Sequence, residues 1–226
     1  MTDTDDAVST ARIRLGTAIR NLGHSFAGHH ADVALLDSCS GAIEEMIARL
    51  DVGASRRRDP SSFGDHSRHR YEEGPISHTY ADRPVSGMAS PWGLDPELHR
   101  HGDEIEARVT LRAAHEGAPG RSHGGVVAAL FDDIFGFVLG VVDEAAFTGR
   151  LTITYRAGTP LDEPLSCRVR ATGRSGRKLT MTGELVALST DQVVAEADAL
   201  FITVDPMMFV ESAQHPAPPD EDASQQ

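Results

Sequence analysis

Apolar residues recur along this chain with different periods, and each period predicts a different element. Between residues 5 and 50 they fall at helical spacing in two runs: Ala7, Ile13, Leu15, Ala18, Ile19 and Leu22, then Val33, Leu36, Ile43, Met46, Ile47 and Leu50. The break Gly28-His29-His30 separates the runs, so the pattern predicts a helical hairpin over 1–50. From Asp51 to about Ser90 no period survives. Arg56-Arg57-Arg58, several histidines, Pro60, Pro75 and Pro84 mark 51–90 as a linker or lid. After Trp92-Gly93-Leu94 and a His101-Gly102-Asp103 turn, strict alternation begins at Ile105, Ala107, Val109 and Leu111. It returns in Leu151, Ile153 and Tyr155, in Leu165, Cys167 and Val169, in Leu179, Met181 and Leu185, and in the run from Val193 to Val204. Alternation of this kind predicts half-buried strands. The turns Gly173-Arg174-Ser175-Gly176 and Thr190-Asp191-Gln192 predict that the last three form an antiparallel meander. Past Asp205, Pro206, Pro216, Pro218, Pro219 and Asp220-Glu221-Asp222 predict a disordered acidic tail over 206–226.

One segment fits neither an amphipathic helix nor a strand. From Gly124 to about Val142 the only charges are Asp132 and Asp133, and Val126, Val127, Leu130, Phe131, Ile134, Phe135, Phe137, Val138 and Leu139 leave no polar stripe. A helix that is hydrophobic all round is an enclosed helix. It has the length to span a membrane, yet each carboxylate at its centre would cost roughly 2.5 to 3.5 kcal/mol or more there, and no Lys/Arg cluster flanks it. The expectation is burial inside protein and no membrane span. A long apolar helix with antiparallel strands that cover it makes 91–205 an α+β domain whose curved sheet wraps the helix.

Composition narrows the classes further. At 226 residues and 40% hydrophobic the chain buries one good core with appendages at both ends. A formal charge of −13 argues against a nucleic-acid partner, which needs a clustered positive face. Cys39 and Cys167 stand far apart without CxxC spacing, which fits neither a disulfide framework nor a zinc site. His29, His30, His66 and His69 lie outside the patterned core, so no metal is expected. Met1 to Asp6 is acidic and polar rather than a basic n-region, which predicts a cytoplasmic protein.

Two adjacent carboxylates inside an apolar helix call for a chemical reason, and the glycines at its start suggest one. Gly124 and Gly125 remove side chains where unpaired backbone N–H groups and roughly half a positive charge from the helix dipole can meet a ligand oxygen. A developing oxyanion needs such donors. The alternative is tight packing of the helix start against a strand.

The run His123-Gly124-Gly125-Val126-Val127-Ala128-Ala129-Leu130-Phe131-Asp132 matches the pattern HGGxxAxxxD, preceded by Pro119-Gly120. Thr148-Gly149-Arg150-Leu151-Thr152-Ile153-Thr154-Tyr155 and the turn Gly176-Arg177-Lys178 follow in the matching order. On these residues, roughly Gly93 to Val204 resembles the hotdog-fold acyl-CoA thioesterases of the phenylacetate-pathway and thioesterase-superfamily-member types. The resemblance implies a hotdog domain that hydrolyses acyl-CoA or related acyl thioesters, part of lipid metabolism, without a cofactor. It implies the Gly125 N–H as main oxyanion donor beside Gly124, and Asp132 as general base or nucleophile. Thr148 either orients the attacking water or simply starts a strand. His123 either joins the catalytic set or holds the loop by a hydrogen bond. Asp133 either meets substrate or pairs with a cation or water near the seam. Arg177 and Lys178, with Arg174, either bind coenzyme A phosphates or form a solvated turn.

Asp132 lies seven residues beyond Gly125, roughly 10 Å along the axis, too far for both to touch one carbonyl carbon. The resemblance implies a homodimer or dimer of dimers with antiparallel helices, the Asp of one facing the helix start of the other. Relatives of the fold include dehydratases and non-catalytic members, so a hydratase or dehydratase and a non-catalytic acyl-CoA-binding or assembly protein stand as alternatives.

Overall fold

The alternating segments pair into one antiparallel sheet whose concave side receives the apolar helix. The computed structural model describes residues 3–56, 71–76, 81–205 and 207. Its elements are α1 (Asp3–Gly28), α2 (Val33–Asp51), β1 (Gly74–Pro75), β2 (Glu97–His101), β3 (Glu104–Thr110), α3 (Gly124–Val142), β4 (Ala146–Tyr155), β5 (Pro164–Ser175), β6 (Lys178–Ala187) and β7 (Gln192–Thr203). The seven strands lie in the order β1-β2-β3-β5-β6-β7-β4, all neighbours antiparallel. The α+β architecture and the β5–β6–β7 meander expected from the alternation are both present. β2 was not legible as a strand, because Glu-Leu-His-Arg-His carries one apolar residue and no alternation.

Two tight turns set the register. His101 faces Glu104 across Gly102-Asp103, and Ser175 faces Lys178 across Gly176-Arg177. Gly102 at φ +63 and Gly176 at φ +58 adopt the left-handed conformation that two-residue hairpins require.

The core lies between α3 and the concave side. Val127, Leu130, Phe131, Ile134, Phe135 and Val138 are each at most 1% exposed, and they meet Ile105, Ala107, Val109, Leu165, Cys167, Met181 and Leu185. At mean hydropathy 2.0, α3 is long and apolar enough to cross a membrane, and here it is the core helix. It is not enclosed all round, however. Gly125 and Asp132 are exposed, while Ala128, Ala129 and Gly136 are only partly covered, so one strip of small residues faces outward. The apolar all-round reading missed this strip because Gly and Ala neither demand burial nor mark a polar face.

The segment read as a linker or lid is in its described parts a strap over α3. Tyr71 packs at 5.8 Å from the Phe137 ring and over Gly140. Residues 81–95 fold into successive turns closed by Ala89 N–H to Ala81 O at 2.8 Å and Leu94 N–H to Val85 O at 2.7 Å. Residues 57–70 and 77–80, with His66 and His69, lie outside the described residues, as does the expected tail apart from Met207.

Both N-terminal helices form, and Arg12 of α1 and Arg56 beyond α2 both reach Asp82, so the chain doubles back. The face of α1 that docks is different from the one its apolar stripe predicts. Gly16 and Arg20 are buried, whereas Leu15, Ile19 and Leu22 are 42%, 40% and 43% exposed, and no residue of α2 is buried. Physically, Gly16 permits close approach: a Cβ there would stand 2.5 Å from Ala89 O. The Arg20 guanidinium, only 3% exposed, then satisfies the strap carbonyls of Met88 and Ser90 at 2.6 Å each.

The lower end of α1 docks on the 3-10 turn Ala113–His115. His115 is 9% exposed, its Nδ1 accepts the Arg112 N–H at 3.1 Å, and its ring lies edge-on to His24 at 4.7 Å. Burial foremost, then the neighbouring His24 and Arg112, pushes the His115 pKa down to about 4. His115 is therefore neutral when folded and takes up a proton more readily when unfolded. Its contribution is complete above the unfolded value of 6.5 and is lost as pH falls towards about 4. Urea midpoints should fall across that window by the equivalent of roughly 3 kcal/mol, and His115→Gln should flatten this part of the profile.

Gly183 on β6 tests the helix–sheet contact. A Cβ there would come 2.6 Å from Val169 Cγ1 and 3.2 Å from Phe131 Cε1. Gly183→Val should cost about 1–3 kcal/mol by overpacking, read as a lower midpoint in urea or thermal unfolding.

Candidate active site

Helix α3 begins where the glycines predicted, with His123 as its N-cap at φ −64, ψ 134. The His123 Nδ1 accepts the Gly125 N–H at 2.9 Å, so this imidazole does the work that Ser or Asp does at most helix starts. His123 thus holds the loop. The expected oxyanion donor, Gly125 N–H, already has a partner in this structure. Gly125 itself is exposed, and Gly124 is partly covered by Tyr155, whose hydroxyl donates to Gly124 O at 2.7 Å.

Asp132 lies two turns further along, on the exposed strip. The Thr148 Oγ1 donates to its Oδ1 at 2.8 Å, and among the described residues no cation pairs with it. Thr148 reaches it from β4, just before the register shift between Thr148 and Arg150. The bulged residue, Gly149, fits against Ile202 and Leu200 where a Cβ would sit 3.0 Å from Ile202 Cγ1. β4 thus serves both ends of the site, Thr148 at the carboxylate and Tyr155 at the helix start. Tyr155 escaped the sequence reading because its place in an apolar alternation marked it as a core residue, yet it is 51% exposed.

Asp133 turns away from this strip, as a step of roughly 100° requires. Its Oδ1 accepts Arg83 Nε at 3.1 Å and Nη2 at 2.8 Å, and its backbone O accepts Nη2 at 2.8 Å. Of the two readings of Asp133, the geometry matches pairing with a cation; its side chain is only 10% exposed. Arg83 sits in the non-periodic stretch, where nothing in the sequence pattern singles it out.

The basic turn stands at the other end of the helix. Arg174 pairs with Glu144, two residues beyond α3, and Arg177 Nε donates to Thr203 O at 3.0 Å. The Lys178 side chain is exposed. Within one chain these cations are separated from Gly124 and Gly125 by the length of α3, roughly 27 Å for about eighteen residues. His123, Gly125, Thr148 and Asp132 are brought to one side; Arg177, Lys178 and Asp133 are not. A cleft of about 420 Å³ lined by Arg150, Thr152, Thr172, Thr180, Asp198 and Leu200 contains none of these groups. Among the described residues no cluster of His, Cys, Asp and Glu could hold a metal ion.

A curved antiparallel sheet around a glycine-opened helix that carries an exposed aspartate is the architecture of the hotdog fold. Residues 120–194 match the family model described as the thioesterase superfamily, and the chain has a hotdog fold. Acyl-coenzyme A thioesterase THEM4 of Mus musculus is 32% identical over 91 residues, 40% of this chain and 39% of that protein. The Bos taurus protein of the same name is 30% identical over 122 residues, 53% of this chain and 50% of that protein. The chain thus spans half or less of the length of these curated relatives. A crystal structure described as a thioesterase superfamily protein superposes with TM-score 0.70 at 24% identity, over 84% of this chain and 94% of that one, which establishes the fold.

The helix start offers a direct test. His123→Ala should remove the cap and cost about 0.5–2 kcal/mol, measured by urea unfolding, while His123→Asn should recover most of it.

Proposed function

We propose that this protein hydrolyses acyl-CoA or a related acyl thioester to free acid and thiol. The observation that carries this reading is an Asp132 carboxylate left exposed on the core helix, unpaired with any cation among the described residues and bonded to Thr148 at 2.8 Å. Similarity of residues 120–194 to the thioesterase superfamily supports it. In the reaction a water oxygen attacks the thioester carbonyl carbon and gives its proton to Asp132 while Thr148 orients it. The C–S bond then breaks, and the thiolate leaves with that proton. Alternatively Asp132 attacks first and water resolves the anhydride. The Gly125 N–H stabilises the oxyanion by exchanging its bond to His123 Nδ1 for one to the substrate oxygen.

The site is completed by a second copy. The outward strip Gly125, Ala128, Ala129 and Asp132 is narrow enough for two α3 helices to approach closely, and β4 is the last strand of the sheet among the described residues, where a second sheet can join. Antiparallel helices place Asp132 of one protomer opposite Gly125 of its partner. The same arrangement carries Arg177 and Lys178 towards the partner's helix start, where coenzyme A phosphates would lie. The acidic chain, −13 overall, acts as a cytoplasmic homodimer or dimer of dimers.

Thiol release from a panel of acyl-CoAs tests the reading. Wild type should turn over at least one member, and Asp132→Asn should lose 10²-fold or more in kcat with the fold intact. Wild-type turnover by the Asn variant would remove Asp132 from the chemistry. Acyl-CoA binding without thiol release by wild type would make the protein a carrier, and full activity in a monomer would exclude the shared site.

A further inference from the structure

The strap delivers one arginine to the core helix, and its placement concerns the carboxylate next door. The Arg83 guanidinium lies 4.3 Å above the Phe137 ring centroid and crosses the helix at Gly136, where a Cβ would stand 2.6 Å from Nη2. It is 17% exposed and grips Asp133 through both the carboxylate and the backbone carbonyl. Behind it the strap is fixed by the buried Arg20 of α1. Residues on three elements are thereby committed to one ion pair adjacent to Asp132.

An ordinary salt bridge on the surface contributes little, and a buried one is often replaceable by apolar side chains without loss. The arrangement has a clearer purpose in charge. Two neighbouring carboxylates disfavour each other's ionisation, and a cation beside one of them cancels its effect on the other. The side chains bonded to these two carboxylates among the described residues are Arg83 from the strap and the uncharged Thr148 from β4. Asp133 Oδ2 is buried without a hydrogen-bond partner among them, which leaves Arg83 as the group that compensates the charge.

We propose that Arg83 is a positioning residue for the reaction: it holds Asp133 on the side to which the helix turns it and neutralises it, so that Asp132 alone presents a negative charge to substrate. The inference rests on the thioesterase reading only for its kinetic consequence; the charge coupling stands apart from it.

Asp133→Asn keeps an oxygen for Arg83 but leaves the cation uncompensated beside Asp132. Followed by carboxyl-carbon NMR with labelled aspartate, the Asp132 titration in the full chain should move about one pH unit lower than in wild type, a tenfold change in proton affinity. The acid limb of kcat/KM for thiol release should move with it. Arg83→Met with Asp133→Asn removes both charges and should return the midpoint to within about 0.3 units of wild type. A midpoint unmoved in Asp133→Asn, or equally displaced in the double variant, overturns the proposal. Absence of thiol release in every variant, with the NMR shifts as expected, overturns the thioesterase reading and leaves the coupling standing.

Discussion

The structure depends on burying a helix that is apolar on most sides while leaving one of its carboxylates exposed. Ile105, Leu165, Met181 and Leu185 close the concave sheet on one side of α3, and the strap closes another through Tyr71 and Arg83. What stays open is a strip only as wide as Gly, Ala and Asp allow. The close approaches are specific to glycine: Gly183 admits Phe131 to the sheet, Gly136 admits the Arg83 guanidinium and Gly140 the Tyr71 ring. A methyl group at Gly183 or Gly140 would press on the sheet or the strap, and one at Gly136 would displace the Arg83 guanidinium.

The same geometry separates the adjacent aspartates into different environments. A rotation of roughly 100° between consecutive helical residues sends one to Thr148 at the edge strand and the other to Arg83 beneath the strap. The N-terminal helix belongs to this arrangement because Arg20 satisfies strap carbonyls that would otherwise be buried without partners. The N-terminal helix and the strap that carries Arg83 therefore share residues.

The strands from Ile105 onward were legible because alternation is a local property: each half-buried strand records in its own residues which face meets the core. The helix start was legible for a similar reason, since Gly124 and Gly125 directly after a His form a local pattern; Thr148, singled out by resemblance to a known strand, bonds to Asp132 in the structure. The docked face of α1 was not legible. Its apolar stripe points to Leu15, Ile19 and Leu22, but a glycine and an arginine make the contact, and neither carries a hydrophobic signal. Arg83 was hidden likewise, in a stretch whose order comes from turns rather than from a repeat.

By itself the sequence determined the α+β class, the antiparallel meander, the position of the core helix and its glycine-opened start, because periodicity and glycine placement act over a few residues. Only the tertiary structure decided which aspartate is exposed, that His123 occupies the Gly125 N–H, that β4 forms the sheet edge beside Asp132, and that the basic turn lies at the far end of α3. Each of these is a relation between groups distant along the chain. Such relations are set by how whole layers pack, and no local pattern of residues encodes them.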